Sequence, residues 1–115
     1  MRNISGNWMS NLNPEDYVTS VAVSVTQAPG SNDFLGWAYM TFNNAPVNQM
    51  TGWALGSNDG TTVNLSFGWS MPLHSGGKQE WSRTVTGTWA SDTELQLTDT
   101  SGKYTFTRTL EPSGT

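Results

Sequence analysis

The stretch of residues 67–83 gathers side chains that suit the binding of an uncharged, hydroxyl-rich ligand. It holds Trp69 and Trp81, the chain's only histidine, His74, and Arg83, with two adjacent glycines between them. Aromatic faces stack on the less polar faces of a sugar ring, while charged and amide side chains hydrogen-bond its hydroxyls. Glycines allow the backbone to approach a ligand closely. The stretch therefore predicts a site for a neutral sugar.

The predicted ligand-binding residues are aromatic, charged or amide side chains in or near this stretch: Trp81, Arg83, His74, Glu80, Asn48 and Trp69. For the tryptophans, packing in a core is the alternative interpretation. A solitary loop histidine is often a simple surface residue. Arg83 shares its predicted strand face with Trp81 and Val85, and a charge on an inward face needs a carboxylate or a polar ligand. Its alternatives are a binding role or an ion pair with Glu80, Glu94 or Asp99.

Catalytic motifs are missing from the sequence. There is no Gly-x-Ser-x-Gly and no phosphate-cradling glycine motif, and the carboxylates are scattered at or near predicted loops. One histidine and no cysteine exclude three-histidine zinc sites, thiol nucleophiles and disulfides. We therefore predict that the protein is not an enzyme and holds no cofactor or metal.

The composition limits the partners. Only 12% of the residues are charged, the formal net charge is −4 and no basic cluster is present, which argues against nucleic acid. No apolar run approaches the length that spans a bilayer, and the N-terminal residues do not resemble a secretory signal. The expectation is a soluble protein without membrane insertion, either cytoplasmic or secreted after processing.

Alternation of polar and apolar residues with a period of two recurs through the 115 residues, which predicts a single all-β domain spanning residues 1–115. Turn-forming residues separate about eight predicted strands: 4–9, 17–26, 34–42, 49–56, 61–70, 81–89, and two around 95–97 and 104–110. Short, evenly spaced strands favour an antiparallel up-and-down β-barrel, with a β-sandwich as the alternative.

Three aromatic residues have the parity of the outer face of the predicted sheet. Trp37 and Tyr39 alternate with the inward positions of one strand, and Trp53 does the same on the next. Large exposed apolar patches are rare on monomers, and aromatic residues are enriched at interfaces. We therefore expect a homo-oligomer, a dimer or a tetramer, that forms through Trp37, Tyr39 and Trp53. The alternative is that Trp37 and Trp53 themselves form a ligand site.

Short motifs along nearly the whole chain resemble those of the avidin and streptavidin family. They are Gly6-Asn7-Trp8, Phe34-Leu35-Gly36, Met50-Thr51-Gly52, Phe67-Gly68-Trp69, Trp81-Ser82 and the ending Tyr104-Thr105-Phe106-Thr107-Arg108. Members of that family are eight-stranded up-and-down barrels that hold biotin at one open end. The resemblance implies the same barrel. It also implies the alternative function, a binding protein for biotin or a related small molecule.

The biotin contacts of that family are matched only in part. The aromatic positions Trp69 and Trp81 agree, and Ser75 falls near the family's loop serine. Ser10 falls at the family's polar position two places after the first tryptophan. Other contact positions of the family hold different residues here: Pro14, Ala38, Leu97 and Tyr104. The expectation is therefore an avidin-like barrel whose main function is that of a lectin, which recognises a neutral sugar and becomes multivalent by oligomerisation.

Overall fold

A computed structural model describes residues 2–12, 18–42, 49–100 and 102–109. The described residues form eight β-strands: β1 (Gly6–Asn11), β2 (Val18–Gln27), β3 (Asp33–Phe42), β4 (Gln49–Asn58), β5 (Thr62–Pro72), β6 (Lys78–Ser91), β7 (Glu94–Asp99) and β8 (Gly102–Thr109). In these ranges no helix is long and apolar enough to cross a membrane. Four positions of the sequence-based expectations, Pro14, Tyr17, Asn48 and Leu110, lie outside them.

Each strand runs antiparallel to its neighbours in the order of the chain, and β8 pairs with β1 to close the barrel. The closing pairs include Asn7 with Thr109 and Trp8 with Arg108. The predicted up-and-down barrel is thereby confirmed, and the β-sandwich alternative is wrong. Closure removes the exposed strand edges that an open sheet would leave.

Alternate residues of each strand fill the barrel because successive side chains of a strand point to opposite faces. The predicted inward faces are confirmed on β2, where Val21, Val23 and Val25 are buried, and on β5, whose buried residues include Phe67 and Trp69. Leu95, Leu97, Tyr104 and Phe106 complete the interior from β7 and β8. The core is a single apolar column that runs along the barrel.

One end of the barrel, which we call the closed end, is covered by residues 2–5 and holds the turns that leave β2, β4 and β6. Asn58 lies at its centre and is fully buried. Its side-chain nitrogen donates to Arg2 O and Gln27 Oε1 at 2.7 and 3.0 Å, and its Oδ1 accepts from Trp89 Nε1 at 2.9 Å. The side chain therefore ties the N-terminal segment to three strands.

The other end, which we call the open end, is where β1, β3, β5 and β7 finish. Here the β5–β6 hairpin extends past its neighbours. Its pairing continues to Pro72 and Lys78, whereas the pairing of β4 with β5 stops at Trp53 and Gly68 and that of β6 with β7 begins at Thr86. Within the described part of the chain, the tip of this hairpin is therefore paired only with itself.

Candidate functional site

A cleft of about 210 Å³ lies at the open end, between β4 and the β5–β6 hairpin. It is lined by Trp53 from β4, by Trp69 from β5, and by Glu80, Trp81 and Ser82 from β6. Three of the six residues predicted to bind ligand, Trp69, Trp81 and Glu80, thus border one space. The residues that border the cleft are therefore three tryptophans, a glutamate and a serine. By strand parity the side chains of Trp53, Glu80 and Ser82 lie on the outer face of the sheet, and those of Trp69 and Trp81 lie on the inner face.

Trp53 reaches this cleft because the residue paired with it is a glycine. Trp53 and Gly68 are direct partners across β4 and β5, and a Cβ at position 68 would lie only 2.9 Å from Cζ2 of Trp53. The missing side chain lets the indole lie across β5 toward Ser82, which pairs with Gly68 on the other side. Trp53 is 36% exposed. It forms the outer wall of the cleft.

Trp69 forms the inner wall. Its side chain is only 4% exposed and packs edge to face on Phe42, with ring centroids 5.8 Å apart. The indole Nε1 is buried, and no described residue accepts a hydrogen bond from it. A buried donor without an acceptor costs about 1–3 kcal/mol. This N–H is therefore a buried donor that no described residue satisfies, and it belongs to a residue that borders the cleft.

Trp81 is the direct partner of Trp69 across β5 and β6 and is held from inside the barrel. It packs on Phe67 with a centroid separation of 5.8 Å, and the guanidinium of Arg83 lies 5.4 Å from its ring centroid. These contacts fix the plane of the indole at the barrel mouth. A ring held in this way offers a stacking face with little entropic cost on binding.

Arg83 points into the barrel, and the unbroken register between β5 and β6 fixes this direction. Its Nε lies 3.2 Å from Asp99 Oδ2, and the two side chains are 15% and 10% exposed. Its Nη1 also donates to Tyr104 Oη at 3.4 Å. The ion pair with Asp99, one of the structural alternatives considered for this arginine, is therefore present, and Arg83 supports the cleft through Trp81 without lining it.

Glu80 is exposed at the cleft rim, and its Oε2 lies 3.4 Å from Lys78 Nζ. This pair is solvent-accessible, so it costs little to rearrange around a ligand. Ser82 adds a hydroxyl on the same strand. Together they supply acceptor and donor groups beside the indoles.

The remaining predicted residue within the described ranges, His74, does not belong to the cleft. His74 is exposed on the link 73–77 at the tip of the hairpin and does not line the cleft. The link is a tight turn in which Leu73 N donates to Gly77 O at 2.9 Å. Asn48 lies outside the described residues.

The sequence-based site omitted Trp53 and Ser82. Trp53 was assigned to the outer face, which is correct, but its side chain also borders the cleft. The glycine at position 68 is the sequence feature that could have indicated this, since it makes room beside a paired tryptophan. Without the register, that feature could not be connected to Trp53.

Metal binding has no support in the described residues, where no group of three or more histidine, cysteine, aspartate or glutamate side chains lies together. The charged groups of the cleft are limited to Glu80 and its partner Lys78. What the arrangement offers is stacking and hydrogen bonding.

Comparisons of the chain with models of protein families, with curated protein sequences and with solved structures found no match. The eight-stranded antiparallel barrel is consistent with the avidin-like fold that the short motifs imply. Function therefore has to be argued from the site alone.

Proposed function

We propose that the protein is a non-enzymatic carbohydrate-binding protein, a lectin, and that the open-end cleft holds one ring of a neutral sugar. The observation that carries this proposal is the meeting of Trp53, Trp69 and Trp81 with Glu80 and Ser82 around one small space. Sugars are bound by stacking on aromatic faces and by hydrogen bonds from their hydroxyls to carboxylates, hydroxyls and N–H groups. Tryptophan, glutamate and serine residues border the cleft.

The size of the cleft supports a small ligand. A volume of about 210 Å³ is below the roughly 300–1,000 Å³ of sites for drug-sized molecules. The cleft also opens to solvent at the Glu80 rim, so that further rings of a glycan can extend outward. An uncharged ligand suits a wall whose single carboxylate already has a lysine partner.

The Nε1 of Trp69, which has no acceptor among the described residues, favours a ligand that carries an acceptor. If the Trp69 indole turns toward the cleft on binding, a sugar hydroxyl or ring oxygen can accept this hydrogen bond. The ligand would thereby remove the cost of a buried, unsatisfied donor. This gain favours a ligand with oxygen acceptors over a purely apolar one.

A second candidate is a binding protein for biotin or a related small molecule. It is favoured by the closed eight-stranded barrel and by Trp69 and Trp81, which lie side by side as a direct pair near one end. Against it, two contact positions of the avidin family hold Ala38 and Leu97, which are fully buried core residues here. The ion pair of Arg83 with Asp99 also occupies the barrel interior below the cleft. A shallow ligand at the rim fits this arrangement better than a deep one.

The test is a glycan array with the untagged protein, with and without an excess of biotin. The proposal predicts binding to glycans that share one terminal neutral sugar, unaffected by biotin. Binding of biotin, seen as a thermal shift together with no glycan binding, would establish the second candidate instead. Binding to neither would contradict both.

A pair of variants then locates the sugar. Glu80→Ala removes the rim carboxylate, and its matched control Lys78→Ala removes only the partner of that carboxylate. We expect Glu80→Ala to weaken binding of the terminal monosaccharide about five- to tenfold, the loss of one or two hydrogen bonds, and Lys78→Ala to leave it nearly unchanged. Equal affinity of both variants and the parent would place the sugar elsewhere.

A further inference from the structure

The outer faces of β3 and β4 carry a continuous apolar surface, which we call the outer ridge: Leu35, Trp37, Tyr39, Trp53 and Leu55. Their exposed fractions are 70, 63, 50, 36 and 50% in that order. Trp37 pairs directly with Trp53, and Leu35 pairs with Leu55. The outward parity predicted for Trp37, Tyr39 and Trp53 is thus confirmed, and these side chains stand together on one face.

A depression runs beside the ridge along the outside of β2, and we call it the outer groove. Two adjoining hollows of about 390 and 520 Å³ form it, and both are lined by Met9, Ala22 and Tyr39. Its floor is low because β2 carries only small side chains here: Ala22 pairs with Met9 on one side and with Tyr39 on the other. The groove therefore has one apolar wall in common with the ridge.

We propose that the outer ridge of one copy of this chain docks into the outer groove of a second copy, and the reverse, to form a two-fold symmetric dimer. A two-fold interface requires one surface that is complementary to itself. A ridge and a groove that lie side by side on one face meet this requirement, because the two-fold rotation brings each against the other.

The charge distribution favours a second copy as the occupant. The outward positions paired with the ridge residues are all uncharged: Thr26, Ser24, Ala22, Gly68 and Ser66. Because the chain has a formal net charge of −4, two copies repel each other at most surfaces. An uncharged face is where they can meet without burying like charges.

The exposed apolar area of the ridge also favours a second copy of the chain as the occupant of the groove. With roughly 150–250 Å² for each aromatic side chain, the exposed fractions of Trp37, Tyr39 and Trp53 alone correspond to roughly 200–400 Å². The two leucines and the walls of the groove bring the apolar face toward the roughly 800 Å² per partner of a standard interface. Large exposed apolar patches on monomers are rare.

The dimer would also bear on ligand binding, since Trp53 belongs both to the ridge and to the cleft wall. Docking would cover the outer side of Trp53 and place two clefts on one assembly, which converts weak single-site binding into avidity. Only this consequence depends on the proposed function. The dimer itself is tested without any glycan.

The experiment is sedimentation equilibrium at concentrations up to the submillimolar range. We expect the parent protein to have twice the 12.5 kDa mass of the chain. Trp37→Lys places a charge on the ridge and Ala22→Arg fills the groove, so both are expected to sediment as monomers. Gln96→Arg, on the exposed outer face of β7, adds the same charge elsewhere and is the matched control expected to remain dimeric.

A monomeric parent protein would overturn the proposal. So would an Ala22→Arg variant that remains dimeric, because the groove would then not receive the ridge. Dilution of the unmodified protein gives a readout that does not depend on any variant folding: dissociation exposes Trp37 and Trp53 and is expected to shift tryptophan emission to longer wavelength. Emission that stays constant while the mass halves would contradict docking through the ridge.

Discussion

The two ends of the barrel use the same residue types in different ways. At the closed end, Trp8 and Trp89 pack edge to face, and each indole N–H has an acceptor: Ile4 O at 2.8 Å and Asn58 Oδ1 at 2.9 Å. At the open end, Trp69 and Trp81 are also neighbours, but the N–H of Trp69 has no acceptor among the described residues. The indole N–H groups of the first pair are both satisfied within the fold, whereas that of Trp69 in the second pair is satisfied by no described residue.

The arginines show a related difference. Arg108 stacks 4.5 Å from the centroid of Trp8 and donates from Nη2 to Asn3 O, although its buried Nε has no acceptor in the described ranges. Arg83 stacks on Trp81 and pairs with Asp99. Both ends thus hold an arginine against a tryptophan, and Trp81 borders the open-end cleft whereas Trp8 borders the outer groove. Polar groups that are satisfied internally stabilise the barrel, and a group left unsatisfied beside a cleft is a candidate for binding.

The largest expected effect comes from breaking the closed end at Asn58. Asn58→Ala removes an acceptor of Trp89 and a donor to Arg2 and Gln27. Trp89 Nε1 and Gly60 N lose their acceptor. Gln27 Oε1 keeps only its bond from Ile4 N, and a cavity is left at a fully buried position. We therefore expect about 4 kcal/mol of lost stability and a Tm lower by more than about 10 °C. Thermal unfolding followed by circular dichroism measures it. The exposed Asn64→Ala on the same hairpin is the control, and an equal loss there would contradict the central role of Asn58.

Arg83→Met tests whether the open-end arginine is structural. The change leaves Asp99 partly buried without its counter-charge, so we expect a loss of about 2–3 kcal/mol, and the double variant with Asp99→Leu should recover most of it. Urea unfolding measures both, and the glycan profile should survive in the double variant. A stable single variant that has lost glycan binding would show instead that Arg83 contacts the ligand.

Matched tryptophan variants compare the ends directly. Trp69→Phe removes an N–H that has no acceptor, so stability should change by less than about 1 kcal/mol while affinity for the terminal sugar falls about five- to tenfold. Trp8→Phe removes a satisfied N–H and should cost about 1–2 kcal/mol with affinity unchanged. Calorimetric titration and thermal unfolding of both variants measure the two quantities. A loss of sugar affinity in Trp8→Phe with none in Trp69→Phe would contradict the placement of the ligand at the open end.

The smallest expected change in stability is at Asp59, in the β4–β5 turn of the closed end. The backbone N–H groups of Thr62 and Thr61 donate to Asp59 and lower the pKa of its carboxyl. A lowered pKa means that the ionised carboxylate stabilises the fold fully above the ordinary carboxyl pKa, and that this contribution disappears as the pH falls through the lowered value. The Tm difference between the parent and Asp59→Asn should therefore narrow toward acid pH. A difference that widens would contradict this sign.

The residues that share a face of each strand could be predicted from the sequence, because alternate side chains lie on the same side of a sheet and the apolar side faces the core. The outward direction of Trp37 follows from this pattern. The pattern alone does not fix the direction of Arg83, because one bulge near Gly87 would reverse it. The structure places Arg83 inward, since the irregularity that β6 does contain lies between Trp89 and Ser91, beyond the segment that carries Arg83. The barrel follows from the same alternation and from the short turns.

The cleft could not be predicted in the same way. It depends on where pairing stops: β4 and β5 separate after Trp53 and Gly68, while β6 begins at Lys78, earlier than the predicted start at Trp81. Turn lengths and register decide such end points, and no local pattern encodes them. The position of residues 2–5 over the closed end could not be predicted either. The sequence pattern places Ile4 in the first strand, whereas the structure begins β1 at Gly6.

The central claim is that the open end binds the sugar and the closed end does not, and the six tryptophans allow one direct measurement of it. In a nitrogen-15 correlation spectrum each indole N–H gives its own signal, and the terminal monosaccharide found on the array is added stepwise. The account predicts that the signal of Trp69 moves most, that those of Trp81 and Trp53 follow, and that those of Trp8 and Trp89 stay in place. Movement of Trp8 and Trp89 with a stationary Trp69 would contradict it.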